Sequence, residues 1–369
     1  LGITLATCLA KKNFIVTITD GDLNNLNLLL NDKLPIYEPI INELFFKLIK
    51  SKKIILKKFK ELKSQNNIIF FAKDSEKTKN GINLNLFKKE LLSIKNISSK
   101  AADVIVMSQI PVGTLKNLRT KHKLNFKLNY IPEFLRLGNA YELFIKQNYI
   151  IIGTENVNSF NKISKIMKNF SKYIYNCSVS EAEFSKHFVN IYISSSVSLI
   201  SEFTKISKKM NINLSNLAPA IRRDDRIGPK SYIYPGLGFS GGNLERDLTI
   251  MNHLLLKFKK KSEMINAIIK TNNNHNKEPL EHLIKKIKNL KNKKISILGV
   301  TYKEFTDTLR GSIALNYKKK LEKLGAIIKM YDPIFKNSKN KNQTFSKRIR
   351  DCIHKSDILI TMINKKEFG

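Results

Sequence analysis

The chain has 369 residues, 42% hydrophobic and 9% aromatic, a composition that supports large buried cores and argues against disorder. Its 66 Lys and Arg against 30 Asp and Glu give a formal net charge of +36. The lysines are spread throughout, in KSKKIILKKFK, KFKKKSEM and KKIKNLKNKK alike, with no basic stripe interleaved with aromatics, so nucleic acid is not expected as a partner.

No apolar run approaches the roughly 18–20 residues that span a bilayer, and no secretory leader is recognisable. A soluble, cytoplasmic protein without a membrane partner is expected. Cys8, Cys177 and Cys352 lie far apart and the six histidines form no H-x-x-x-H pair, so no metal is expected.

In chain order, LGITLATCLAKK carries apolar residues at helical spacing, and NFIVTITD is a β-branched run ending in Asp20. Further strands are expected at NIIFFA (67–72), ADVIVMS (102–108) and NYIIIG (148–153). Strands separated by helical patterns predict parallel βαβ units in a doubly wound sheet. From about residue 178, EAEFSKHFVNIYISSSVSLISEFTKISKKM keeps a helical period without Gly or Pro, which predicts one long buried helix. A Gly- and Pro-rich loop follows over 226–242, then helix to about 271, and the polar NNNHNKEP (272–279) reads as a linker. KKISILGV, a helix from about 312 to 324 and GAIIKMYDP restart the βαβ pattern.

The fold class expected is therefore α/β, two Rossmann-like parallel-sheet domains joined by a central helical domain. The expected boundaries are 1–175, 176–275 and 276–369, with the last domain cut short. A dinucleotide fold opens with a strand running into G-x-G-x-x-G, whereas this chain begins inside a helix. The expectation is that the first strand lies outside this sequence and that Gly2 is the last glycine of the motif. Asp20 then stands where an acid hydrogen-bonds an adenosine ribose.

Several stretches, taken in order, resemble the UDP-glucose/GDP-mannose dehydrogenase family. LPIYEP (34–39) resembles its P-I-Y-E-P segment, SQIPVGT (108–114) its S-T-V-P-x-G-T, and IPEFLRLGNA (131–140) its N-P-E-F-L-R-E-G-x-A. EAEFSKHFVN (181–190) is similar to A-E-x-x-K-x-x-x-N. DDRIGPKSYIYPGLGFSGGNLERD is similar to the R-I-G segment with the loop G-F-G-G-S-C-F-P-K-D. ILGVTYKEFTDTLRGS is similar to G-x-x-[FY]-K-x-x-T-D-D-x-R-x-S.

The resemblance implies NAD as cofactor, with Gly2, Asp20, Gln109 and Arg310 on its side. It implies a UDP-sugar or other nucleotide sugar as substrate, held by Phe134, Leu135, Arg226, Tyr232, Gly236, Gly238, Gly241 and Lys303. It assigns the chemistry to Lys186 as base or oxyanion stabiliser, Asn190 as donor to the same oxygen, Asp247 as orienter of a water and Glu133 in the hydrolytic half. Lys186 and Asn190, spaced i and i+4, fall on one helix face, where two donors on one developing oxyanion are effective. It also implies a homodimer through the long helix, with Arg226 near the partner's site.

Four departures qualify the activity. Asn243 stands where the family has its nucleophilic cysteine, and an amide cannot form the thiohemiacetal. Arg246 replaces a lysine, Gln109 a threonine and Leu137 a glutamate. Three readings follow: a two-electron oxidation of an alcohol, a non-catalytic sugar-nucleotide-binding relative, or a four-electron oxidation through a hydrated aldehyde that Asn243 positions.

Overall fold

GITLATCLAK folds as α1 (Gly2–Lys11) because its apolar positions bury Leu5, Ala6, Cys8, Leu9 and Ala10 together. The computed structural model describes residues 1–35, 38–62, 66–73, 75–78, 81–302, 304, 306–335, 345–363 and 365–368. They divide into two units, Leu1–Phe188 and Val189–Gly369.

In the first unit, β1 (Val16–Ile18) is followed by α2 (Leu23–Leu30), started by the Asp22 side chain on the Asn24 amide, and by α3 (Pro39–Lys50). Then β2 (Ile54–Leu56) pairs with β1 in parallel. After β3 (Asn66–Phe71) come a small hairpin, β4 (Glu76–Thr78) and β5 (Gly81–Asn83), the helix α4 (Asn85–Ser93) and β6 (Ser98–Val106). The chain continues through α5 (Thr114–Lys121), β7 (Lys127–Tyr130), α6 (Ala140–Ile145), β8 (Ile150–Gly153), α7 (Val157–Met167) and β9 (Ile174–Cys177).

Five strands form one sheet in the order β3-β6-β7-β8-β9. Val104, Ile105 and Val106 of β6 are fully buried, because each face of the sheet is covered. Phe87, Leu91, Leu115 and Leu118 pack on one side, and Leu5, Leu9, Phe144 and Ile163 on the other. That is the layering of a doubly wound sheet. The all-parallel expectation fails at one place, where β8 runs antiparallel to β7. Only the six-residue α6 lies between them, so the chain turns back instead of crossing the sheet.

The helix α8 (Val179–Lys209) carries the chain into the second unit, which adds α9 (Leu214–Ile221), α10 (Asn243–Lys257) and α11 (Glu263–Lys286). Then β10 (Lys294–Leu298), α12 (Ile313–Lys323), β11 (Ile327–Tyr331), α13 (Ile349–Ile353) and β12 (Ile358–Thr361) complete it. The three strands make a parallel sheet in the order β11-β10-β12.

Two sequence expectations are corrected here. The long helix is not buried along its length, since Phe188 is 61% and Tyr192 63% exposed. The supposed linker 272–279 lies inside α11. Asn272 and His275 are buried and make tertiary hydrogen bonds, while Asn273, Asn274 and Lys277 face solvent. Pro279 brings no N–H to the helix ladder, and the nearby Asn276 carbonyl accepts from the Tyr317 hydroxyl at 2.7 Å.

Candidate functional site

In the first unit, β7 ends at Tyr130 and the chain enters Glu133, Phe134 and Leu135. The Glu133 carboxylate accepts from the Leu135 amide, closing a tight turn, and its carbonyl accepts from the Lys186 ammonium. That ammonium lies 5.1 Å over the Phe134 ring, and Lys186 is only 5% exposed. A lysine in this position is held by a carbonyl and a ring face rather than by a carboxylate. The Lys186 ammonium, the Glu133 backbone carbonyl and the Phe134 ring therefore come together, while the Glu133 carboxylate is engaged by the Leu135 amide.

Two α8 residues that the sequence reading passed over fix the neighbouring segment. Glu183 is fully buried and accepts from the Gly113 amide at 2.5 Å and the Leu115 amide at 3.0 Å, at the start of α5. Burial pushes its carboxyl up to about 7, although both amides pull the other way. His187, also fully buried, donates from Nε2 to the Ile110 carbonyl at 2.9 Å. The signal available was an acid and a histidine one turn apart among apolar residues. Glu38 was missed too; it accepts from the Gly138 amide at 2.7 Å and so holds the end of IPEFLRLGNA.

The remaining first-unit candidates sit at element ends. Asp20 follows β1 and accepts from the Asp22 amide at 2.9 Å and the Asn25 side chain at 3.2 Å. Gly2 opens α1, whose first turn has no acid and whose start has no side-chain cap. Gln109 is half-buried, and its carbonyl accepts from the Ser75 hydroxyl at 2.5 Å. An uncapped helix start suits a phosphate, and each Asp20 oxygen retains a lone pair for a ribose hydroxyl, so these residues fit a dinucleotide.

In the second unit, the Asn190 amide donates to the fully buried Asp247 carboxylate. Asp247 lies in α10, whose first residue is Asn243, an exposed side chain. The glycine loop before it is clamped by α11. The Asn272 amide donates to the Phe239 carbonyl at 2.9 Å and accepts from the Phe239 N–H at 2.8 Å, and His275 donates to the Gly236 carbonyl at 2.7 Å. Gly238 has φ +82°, and a Cβ there would stand 2.5 Å from Asn272 Oδ1. Gly241 has φ +90°, and a Cβ there would meet the Tyr302 ring at 3.0 Å. Arg310, placed on the cofactor side by resemblance, packs its guanidinium against Gly242.

Not every candidate joins this arrangement. Arg226 is exposed and paired with Asp224 at 2.7 Å, while Tyr232 is half-buried. Lys303 lies outside the described residues. Burial pushes the Cys8 thiol up to about 12 and the Cys177 thiol up to about 11, and raises Cys352 as well. None of the three is poised as a thiolate. Among the described residues no cluster of three His, Cys, Asp or Glu side chains could hold a metal, and no helix is long and apolar enough to cross a membrane.

The doubly wound five-stranded sheet, the acid after β1 of the separate two-stranded sheet, and the buried Lys186 and Asp247 fit a dinucleotide-dependent dehydrogenase class. Models of the UDP-glucose/GDP-mannose dehydrogenase family match the chain in three parts: the NAD binding domain over residues 1–171, the central domain over 180–274 and the UDP binding domain over 296–369. The UDP-glucose 6-dehydrogenase TuaD of Bacillus subtilis is 26% identical over 342 residues, covering 90% of this chain and 74% of that protein. A UDP-glucose 6-dehydrogenase of Campylobacter jejuni is 29% identical over 351 residues, covering 93% and 86%. The solved structure of a UDP-glucose dehydrogenase from Pyrobaculum islandicum shares the fold with a TM-score of 0.91 at 20% identity, over 100% of this chain and 88% of that one. The chain belongs to the UDP-glucose/GDP-mannose dehydrogenase family, whose members are nucleotide-sugar dehydrogenases, and NAD is its cofactor.

Proposed function

We propose that this protein oxidises a hydroxyl of a UDP-hexose to the aldehyde, a two-electron reaction in which one NAD is reduced per sugar and one proton is released. The observation that carries the reading is the chemical character of the site. A buried Lys186 and a buried Asn190–Asp247 pair are present, but an amide stands at the start of α10. NAD, when bound, takes up the hydride. As the neutral amine Lys186 takes the hydroxyl proton and becomes the ammonium, and the Asn190 amide, held on the Asp247 carboxylate, is the further donor assigned to the reaction.

The UDP binding domain and the relatives named UDP-glucose 6-dehydrogenase support a UDP-hexose, with its C6 hydroxyl as the reacting group. The relatives' second oxidation, as the family resemblance implies, uses a cysteine thiolate. Asn243 cannot supply one, and the three thiols present are all raised by burial. Asn243 instead holds a sugar hydroxyl by hydrogen bonding.

The test counts NADH formed per UDP-glucose consumed. One NADH with an aldehyde product supports the proposal. Two with a carboxylate point to oxidation through the hydrate, and none with UDP-sugar still bound points to a binding protein. Either of the last two removes the two-electron reading.

A further inference from the structure

Two segments of the second unit grip the glycine loop. From α11, Asn272 pairs with both backbone groups of Phe239, His275 bonds the Gly236 carbonyl, and the Asn276 amide reaches the Phe239 carbonyl at 3.4 Å. From the other side, the chain entering α12 closes on the loop. The Arg310 guanidinium packs against Gly242. Gly311, at φ +72°, comes so near that a Cβ there would stand 2.7 Å from the Gly241 nitrogen.

A side chain of α12 joins the two segments. Tyr317 is buried, its ring packed in one cluster with Leu280, Leu290 and Leu321. Its hydroxyl crosses to α11 and donates to the Asn276 carbonyl at 2.7 Å. The same hydroxyl accepts from the Leu280 N–H, the group that in an uninterrupted helix donates to that carbonyl. In the neighbouring rung, Pro279 has no N–H to offer the His275 carbonyl. Two successive rungs of α11 are therefore altered, one missing its donor and one bridged by a phenol from another helix. Proline and an inserted side chain are both places where a helix can bend. The direction of the turn 272–276 is then set by the phenol that holds it.

We propose that Tyr317 is a positioning residue for the substrate loop: its hydroxyl fixes the α11 turn whose side chains hold residues 236–239, and so sets where the loop presents its backbone to the hexose. The hexose part rests on the UDP-hexose reading above, whereas the hold on the loop does not. Tyr317 acts through Asn272, His275 and Asn276 and not on the ligand itself, so the uridine diphosphate end should be indifferent to it. A phenylalanine ring would fill the same core. A buried phenol needs hydrogen-bond partners, and here Asn276 and Leu280 of α11 supply them.

The test is Tyr317→Phe, which keeps the ring and removes the hydroxyl, read first without any ligand. Hydrogen exchange of the whole chain, followed by mass spectrometry, should become about two- to tenfold faster over residues 236–242, the worth of one hydrogen bond, with β10 unchanged. Exchange that stays the same in the loop overturns the proposal. So does a rise of equal size in β10, because the hydroxyl would then stabilise the unit as a whole and not the loop.

Calorimetric titrations with UDP and with UDP-glucose then read the hexose. Tyr317→Phe should weaken UDP-glucose by about threefold or more and leave UDP within about twofold. In turnover, KM for UDP-glucose should rise by the same factor with kcat within about twofold. Equal weakening of both ligands overturns the positioning role. A parent chain that takes up no UDP-glucose, while its loop exchange still responds to Tyr317→Phe, removes the UDP-hexose reading and supports the hold on the loop.

Discussion

At the scale of single residues, Lys186 carries the most consequence. Its ammonium rests on the Glu133 backbone carbonyl and the Phe134 ring face. Lys186→Ala should lower NADH formation by about 10²–10⁴, the usual worth of a positioned proton acceptor. The measurement is initial rate at saturating UDP-glucose, and an unchanged rate would remove Lys186 from the mechanism. Glu183 makes a separate prediction. Its carboxyl is raised from an ordinary 4.5 to about 7, so between those values the folded state binds more protons than the unfolded chain. The stability it contributes is complete below about pH 4.5 and is lost as pH rises through about 7. Urea melts should therefore give a smaller unfolding free energy at about pH 8 than at about pH 5, by up to about 3 kcal/mol. Glu183→Gln, which cannot ionise, should flatten that slope.

At the scale of elements, the glycine loop is shaped by α11 more than by its own sequence. Asn272 pairs with both backbone groups of Phe239, as a neighbouring strand would, and Gly238 is the residue that lets the loop come that close. Gly238→Ala would force a left-handed backbone on a side chain and drive its Cβ into the Asn272 amide. The expected cost is about 1–3 kcal/mol from the backbone conformation alone. Because the loop precedes α10, the same change should raise the KM for UDP-sugar more than it lowers kcat. Equal stability and an unchanged KM would show that the clamp is not needed.

At the scale of the whole molecule, α8 presents Phe184, Phe188, Tyr192, Leu199 and Phe203 to solvent, each more than 40% exposed. Their spacing of four, four, seven and four keeps them on one helix face. An apolar face of this kind marks an association surface, and the proposal for it is a homodimer. Light scattering at micromolar concentration should give twice the chain mass. Phe203→Glu should shift dissociation by about a hundredfold, the equivalent of about 2–3 kcal/mol for one buried aromatic.

The sequence by itself determined the layered α/β fold, because helical and strand periods are local and survive any tertiary arrangement. It also singled out Lys186, Asn190, Asp247 and the glycine loop as site candidates, because their order and spacing resemble a family pattern over the whole length. What it misread were residues whose meaning lies in distant partners. NNNHNKEP is polar and locally helix-breaking, yet it is helical because Asn272 and His275 reach the loop some thirty-three and thirty-nine residues earlier. β8 reads like its neighbours but pairs antiparallel, since direction in a sheet depends on the connection and not on the strand. Glu183, His187 and Glu38 were passed over because a buried acid or histidine has the same composition as a solvated one until its amide or carbonyl partner is brought to it. Only the tertiary structure supplies that partner, and with it the burial that moves a carboxyl to about 7.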